Sequence, residues 1–383
     1  MKKSSSLQDF PSASKRRKFL EKELNINLDH IGNFNFTQDQ VVGRNIENLI
    51  GATQIPLGVA GPLAIKNFKF EIKNYFIPLA TTEGALVASV SRGCKTITES
   101  SGATVYVEDV GITRGPVFKT KGIEHGQKVI AWINSHIPLI SQSTQKTSAH
   151  LKLLKIDSAI VGRNLFVRFY FDTQDAMGMN MATFATEQAT KLIEAETGTK
   201  CIALAGNFDI DKKPAWLNFI SGRGKKVWAE IVLPKKVVKE VLKTTPKAMA
   251  EVVESKTHLG SILSGSLGFN SHFANIIAAI FAATGQDLAH VVEGSLGITS
   301  AEVLENMDLY FSIYLPSLIV GTVGGGTHLP TQQEALSLMQ VSNVLEYSKV
   351  LGAAVLAGEL SLLASLAEGS LAEAHSKLGR KGK

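Results

Sequence analysis

The spacing of apolar residues divides this chain into elements. Near the start, SASKRRKFLEKEL opens on a serine and sets Phe19, Leu20 and Leu24 at helical spacing, which predicts a short helix within a polar leader. IPLGVAGPLAI, punctuated by glycine and proline, reads as extended. In TTEGALVASVSRGCKTI, Leu86, Val87, Val90, Cys94 and Ile97 form a helical stripe; Thr82 is its expected cap and Glu83 falls in its first turn.

From about residue 112 to 206 the pattern becomes a compact α-β-α-β texture. GQKVIAWINSHI predicts a helix, and residues 163–173 alternate Leu165, Val167, Phe169 and Phe171 as a strand. ATFATEQATKLIEAE is helical again and KCIALAG extended. A unit of this kind can be inserted into a larger domain. The loop GNFDIDKKPAWLNFISGRGK follows, then the strand KKVWAEIVLP. The remainder is expected to be mostly helical, interrupted by GTVGGGT, and to end in a long helical stretch with a break at Gly369. Residues 258–286 and 309–333 contain no Asp, Glu, Lys or Arg. Their lengths suit a membrane span. The first carries Asn270, His272 and Asn275, however, and the second Pro316 and a run of three glycines, so both read as buried core.

Composition narrows the class. At roughly 150 residues per domain, a chain of 383 residues suggests two or three domains. Charged residues make up only 19% and hydrophobic residues 44%. A usual charged share is about 25%, so the chain is not a disordered one and favours large buried surfaces within or between subunits. The formal charge of +6 invites a nucleic-acid reading. Residues 1–23 and 376–383 each hold a surplus of four, however, which leaves the body between them at −2. Cys94 and Cys201 have no CxxC partners, so a disulfide framework and a cysteine-rich metal site are unsupported and a reducing compartment fits. The N-terminus lacks the apolar stretch of a signal peptide.

Six features carry candidate chemistry. Glu83 is either a proton donor whose carboxyl burial would raise, or an ordinary first-turn partner of a helix dipole. Asp211, Lys212 and Lys213 form either an oxyanion holder with its charge balanced or a solvated cluster. His272 and Asn275 are three apart and so share a helix face. Asp287, ending the first uncharged stretch, is either a cap or a buried acid needing a partner, for which the lysine loop is a candidate. In DAMGMNM, Gly178 lets a ligand approach the backbone and Asn180 supplies donors, although alternate methionines also suit core packing. GTVGGGT exposes backbone N–H groups of the kind that hold phosphates, but lacks a P-loop ending, and no GxGxxG follows a strand. His375 is either a surface residue or a late proton donor carried on the tail.

In combination the motifs ENLIGATQIPLGVAGPL, PLATTEGALVASVSRGCKTI, TRGPV, GRNLFVRF, DAMGMNM, GNFDIDKKPAWLNFISGRGK, GFNSHFANIIAAIFAATGQD, PSLIVGTVGGGTHLP and AGELSLLASLAEG closely resemble class I 3-hydroxy-3-methylglutaryl-coenzyme A (HMG-CoA) reductase. The resemblance covers roughly residues 45–375, with no membrane anchor before it, so the chain looks like the soluble prokaryotic-type form. It implies an α+β fold with a leader and small helical region at 1–47. A large, mostly helical HMG-CoA-binding domain at 48–111 and 207–360 would receive an inserted ferredoxin-like NADP(H)-binding α/β domain at 112–206. A C-terminal helical tail at 361–383 would follow.

The activity implied is reduction of the HMG-CoA thioester to mevalonate in two hydride transfers with release of coenzyme A, in isoprenoid biosynthesis. The enzyme would be a cytoplasmic homodimer or larger assembly with active sites between subunits, and without metal, membrane or nucleic-acid partner. By resemblance, Glu83 would protonate the thioester or aldehyde oxygen, Lys212 would stabilise the oxyanion, Asp287 would tune both, and His375 would protonate the leaving thiolate. Arg114, Asn207, Asp211, Lys213 and Lys256 would surround the HMG group. Ser89, Arg92 and His272 would lie near coenzyme A, with Asn275 also on the substrate side. Ser148, Asp175, Met177, Gly178, Met179 and Asn180 would line the cofactor site, with Gly324, Gly325 and Gly326 close by.

Two departures from the family stand out. TSAHLKLLK places Ser148, Ala149 and His150 where many class I enzymes have Ser-Arg, whose guanidinium grips the 2′-phosphate of NADP. Alanine cannot replace it; His150, Lys152 and Lys155 are the candidate substitutes. NADPH is the first choice of cofactor, with NADH open. Ala205 stands where a serine often binds the HMG carboxylate, a hydrogen bond worth about 0.5–1.5 kcal/mol. Ala149 also motivates an alternative, an NADH/NAD-linked enzyme of mevalonate catabolism. A non-enzymatic anionic-ligand or nucleic-acid-binding protein and an inactive homologue are the remaining alternatives. Lys377, Arg380 and Lys381 are expected to help close the tail over ligand phosphates.

Overall fold

The helix Val344–Glu368 is apolar on nearly every side and lies in the middle of the protein, as such a helix must. A computed structural model describes residues 7–67 and 69–369; His375 and the basic residues after it lie outside the described residues. The Asn343 side chain caps the helix by accepting from the Glu346 N–H, and Gly369, with φ of +81°, ends it in the left-handed conformation. Among the described helices it alone is long and apolar enough to cross a membrane, yet 83% of its apolar window is buried inside the protein.

Helix Leu86–Glu99 crosses this core helix in backbone contact. A Cβ on Gly93 would stand 1.8 Å from the carbonyl oxygen of Ala357, so only glycine permits the approach. Helix Phe273–Thr284 packs beside the core helix, with Phe273, Ile276, Ile277, Ile280 and Phe281 in the same buried cluster.

A mixed sheet covers this helical layer, and strand Ala103–Arg114 is shared by its two parts. Residues 104–111 pair antiparallel with Gly224–Leu233. Residues 112–114 pair antiparallel with Asn164–Asp172. On the first side the order continues through Leu309–Leu318 to Gly297–Val303, and Leu57–Lys66 with Ile72–Ala80 joins at Ala103. On the second side Lys152–Val161 and Val117–Lys119 pair with Asn164–Asp172, and Lys200–Ala203 pairs with Val117–Lys119. Helices Ile123–Ser135, Ile137–Gln145 and Met179–Thr197 pack a second buried cluster there, built on Phe118, Val129, Ile133, Leu165, Val167 and Phe169.

Two details differ from expectation. The region after Pro234 is mostly helical as expected, but within it Gly297–Val303 and Leu309–Leu318 form a hairpin in the sheet. In the second strand Leu309, Phe311, Ile313 and Leu315 are buried and alternate with Tyr310, Ser312 and Tyr314, a period-two pattern that the lack of charge in this stretch conceals. Pro316 sits where the pairing register shifts between Leu315 and Leu318, a position that tolerates a missing N–H. Thr82 does not cap a helix: the helix begins at Leu86 after Ala85, which has φ of +75°, so Glu83 precedes the first turn. In the leader, Arg16 is buried and donates to the carbonyls of Leu7 and Leu49, while Arg17 donates to that of Ile50. These two arginines tie helix Ala13–Leu24 to the body.

Candidate functional site

The ammonium of Lys212 stands 2.8 Å from Asp287 Oδ2 at a cleft of about 840 Å³. Lys212 occupies a left-handed turn, with φ of +57°, and its backbone N–H donates to Glu293 Oε1 at 2.5 Å. Asp287 follows helix Phe273–Thr284, whose C-cap Gly285 reverses the chain with φ of +73°. Its Oδ1 accepts from the Ala289 N–H. Burial by itself would push the Asp287 carboxyl up. The Lys212 hydrogen bond, the Ala289 N–H and the nearby His290 ring and Lys212 ammonium outweigh it and hold the group below its ordinary value.

Two further segments line this cleft. The glycine turn meets the Asp287 turn in backbone contact: a Cβ on Gly285 would lie 2.4 Å from the Gly326 carbonyl oxygen. Gly324 and Gly325 have φ of +77° and +56° and face open space. Met177, Gly178, Met179 and Asn180 form the start of helix Met179–Thr197 and also line the cleft. Gly178 is required for a reason other than ligand approach. It has φ of +83°, and a Cβ there would strike the Thr173 side chain at 2.3 Å. Arg114 reaches the cleft while bonded to Asp209 at 3.2 Å and Thr183 at 2.6 Å.

Beneath the lysine loop lies a charged network that sequence reasoning missed. Arg223 is fully buried and donates to Asp211 Oδ1 at 3.0 Å, Glu293 Oε1 at 2.8 Å and Thr113 Oγ1 at 2.8 Å, and it also contacts Met179 Sδ at 3.0 Å. His290, also fully buried, faces Glu293 at 3.4 Å, Asp287 at 3.8 Å and Asp211 at 3.9 Å. Asp211, His290 and Glu293 bring ligand-type atoms within 4.8 Å of one another. The guanidinium of Arg223 already bridges Asp211 and Glu293, which supplies the positive charge a metal would bring. Local sequence carries little signal for this network, because its members are up to 180 residues apart and meet only on folding.

A second group lies apart from the cleft. Glu83 is exposed in this chain, its N–H donates to Thr81 Oγ1, and its Oε1 accepts from Asn275 Nδ2 at 3.3 Å. His272 and Asn275 do not act from one helix face. His272 is the N-cap of helix Phe273–Thr284, and its ring faces the buried Glu359 at 4.0 Å. Glu359, another residue the sequence did not single out, accepts from the N–H groups of Ser271 and His272 and from Thr299 Oγ1. Ser89 and Arg92 meet Ser361 on the core helix, at 3.0 Å each.

The other candidates scatter. Asn207 is exposed in a left-handed turn with φ of +64°, and Lys213 Nζ bonds the Asp211 carbonyl. Lys256 is exposed on the π-helical stretch Val253–Gly260 and does not line the cleft. Asp175 does not line it either; its Oδ1 accepts from the Val344 N–H and its carbonyl from Thr322. Ser148 contacts Met181 Sδ at 3.7 Å and accepts from the His150 N–H.

A family model described as hydroxymethylglutaryl-coenzyme A reductase matches residues 12–380. The 3-hydroxy-3-methylglutaryl-coenzyme A reductase of Methanocaldococcus jannaschii is 52% identical over 374 residues, covering 95% of this chain and 92% of the relative. The chain belongs to the hydroxymethylglutaryl-coenzyme A reductase family. The reductase of the same name from Pyrococcus abyssi is 49% identical over 375 residues, again covering 95% and 92%. Among solved structures, the class II reductase from Streptococcus pneumoniae bound to NADPH in open conformations has a TM-score of 0.70. That match covers 94% of this chain and 98% of the other, at 18% identity. It shows a shared reductase fold, consistent with the α+β expectation.

Proposed function

We propose that this chain reduces the thioester of HMG-CoA to mevalonate with release of coenzyme A, with NADPH as hydride donor, in the biosynthetic direction. The observation that carries the reading is the Lys212–Asp287 ion pair, 2.8 Å long, on a cleft also lined by Asn180 and the turn of Gly324, Gly325 and Gly326. A positive charge balanced by a carboxylate suits an oxygen that becomes negative during reduction.

The cleft residues fit a dinucleotide. The left-handed glycines leave their backbone N–H groups unobstructed by side chains, and the start of helix Met179–Thr197 favours negative charge. The bound nicotinamide supplies the hydrides. Lys212 steadies the substrate oxyanion, Asp287 balances that lysine, and Glu83 delivers the proton to oxygen. His375 is assigned the later proton, to the departing thiolate. Arg114, Asn207, Asp211, Lys213 and Lys256 are assigned to the HMG group, and Ser89, Arg92, His272 and Asn275 to the coenzyme A side. Ser148 and Asp175 to Asn180 are assigned to the cofactor side.

The division at 48–111 and 207–360, with 112–206 inserted, is supported by the change of pairing partner within strand Ala103–Arg114 at residue 112. Assembly as a homodimer is supported by the separation of Glu83 from Lys212. Glu83 pairs with Asn275 near the start of a helix, and Asp287 lies beyond its far end; roughly 14 Å of helix axis lies between. A second copy is therefore assigned the completion of each site. The motifs support a class I assignment, and the cytoplasm suits the two unpaired cysteines.

The test is a coupled assay. Purified protein oxidises NADPH only when HMG-CoA is present and yields mevalonate and free thiol. No turnover with NADPH or NADH would overturn the assignment.

A further inference from the structure

We infer that Glu293 is a positioning residue that aims the Lys212 ammonium through the lysine backbone. The inference rests on the reading of Lys212 as the oxyanion-stabilising group. Non-glycine residues resist the left-handed region by about 1–2 kcal/mol, and Lys212 occupies it with φ of +57°. Such a conformation persists only where the surroundings hold it. The hold here is the buried carboxylate of Glu293, whose Oε1 accepts the Lys212 N–H at 2.5 Å. The same oxygen accepts from Arg223 Nη1 at 2.8 Å, and Oε2 faces His290 Nδ1 at 3.4 Å.

Arg223 extends the hold in two directions. Its Nη2 reaches Asp211 Oδ1, on the residue before Lys212, and Met179 Sδ, on the cofactor segment. Glu293 therefore sits under the lysine loop, the Asp287 turn and the start of helix Met179–Thr197 at once, and touches none of the open cleft surface. It acts on the chemistry only through the residues it holds.

The contacts separate reach from charge. In Glu293→Gln the amide oxygen can accept from Lys212 and Arg223, and the amide NH2 can donate to His290 Nδ1 once the ring proton sits on Nε2, so the geometry survives and the charge does not. In Glu293→Asp the charge survives, but the shorter side chain cannot reach the Lys212 N–H from the same backbone.

The experiment measures kcat and KM for HMG-CoA and NADPH in the full-length protein, for Glu293→Gln, Glu293→Asp and Glu293→Ala. A displacement near 1 Å is worth on the order of 100-fold in rate. Glu293→Asp and Glu293→Ala are expected to lose about 30- to 100-fold in kcat with KM within about threefold. Glu293→Gln is expected to stay within about fivefold of the parent, which is rescue by the variant that keeps the acceptor. A Glu293→Asp variant as active as the parent, or a Glu293→Gln variant as impaired as Glu293→Ala, would overturn the inference. Should Glu293→Ala fail to fold, the Asp and Gln pair decides alone. Lys212→Ala is measured beside them: if it keeps its turnover, the reading of Lys212 is what has failed, whatever Glu293 does.

Discussion

Lys212 Nζ and Asp287 Oδ2 lie 2.8 Å apart although 75 residues of chain separate them. The lysine is 40% exposed and the aspartate 34%. The pair is thus open to a ligand on one side and backed by the buried Arg223, His290 and Glu293 on the other. An ion pair this accessible adds little to stability. Its value lies in what it presents to the cleft.

Removing the lysine should therefore separate activity from folding. Lys212→Ala is expected to lower kcat by about 100- to 1,000-fold, the usual cost of deleting an oxyanion donor. The melting temperature should change little. Steady-state kinetics beside a thermal melt checks both halves, and appreciable retained turnover would remove Lys212 from its role.

A pH prediction concerns Glu346, in the first turn of the core helix. Burial raises its carboxyl, but hydrogen bonds from Lys73, Ser342 and Tyr75 outweigh this and bring it down to about 2 from an ordinary 4.5. A depressed carboxyl stabilises the fold fully above its unfolded value and loses that contribution as pH falls through the folded one. The melting-temperature gap between the parent and Glu346→Gln should be full at neutral pH and close as pH drops from about 4.5 towards 2. A gap that stays constant over that range would contradict the cause assigned.

Packing at the crossing of two helices gives a third test. Gly93→Ala would place its Cβ against the Ala357 carbonyl. Overpacking of this kind costs about 1–3 kcal/mol, so the melting temperature should fall by several degrees. Gly260→Ala is the control, because its Cβ would meet nothing nearer than 3.5 Å and its φ is −63°. Equal melting temperatures for the two variants would show that the helices separate at little cost.

Cofactor choice turns on Ala149. The neighbouring His150 is exposed and its Nδ1 contacts Gln174 Oε1 at 3.0 Å, and Lys155 pairs with Asp157 at 3.3 Å. Ala149→Arg restores a planar group suited to a phosphate dianion, and charge-assisted hydrogen bonds contribute about 1.5–3 kcal/mol. The ratio of kcat/KM for NADPH over NADH should rise at least about tenfold. No change in the ratio would place the 2′-phosphate elsewhere.

The motifs around Glu83, Lys212, Asp287 and the glycine turn were legible because each is a short run of unusual residues whose order along the chain identifies the family. The helices Leu86–Glu99 and Val344–Glu368 and the strand Asn164–Asp172 were legible from periodicity, since one-sided or complete burial leaves its mark on local spacing. The strand Leu309–Leu318 was not, because a stretch without charges shows little contrast between its faces.

What the tertiary structure alone decided is which side chains meet. Arg223 and Glu293 are 70 residues apart, and Glu83 and Asn275 are 192. A charge can be buried only where its partners converge, and convergence is a property of sheet order and helix crossing. The backbone contacts of Gly93 with Ala357 and of Gly285 with Gly326 have the same origin. Local spacing names the residue types available for chemistry, but the packing of distant segments sets the distances at which they act.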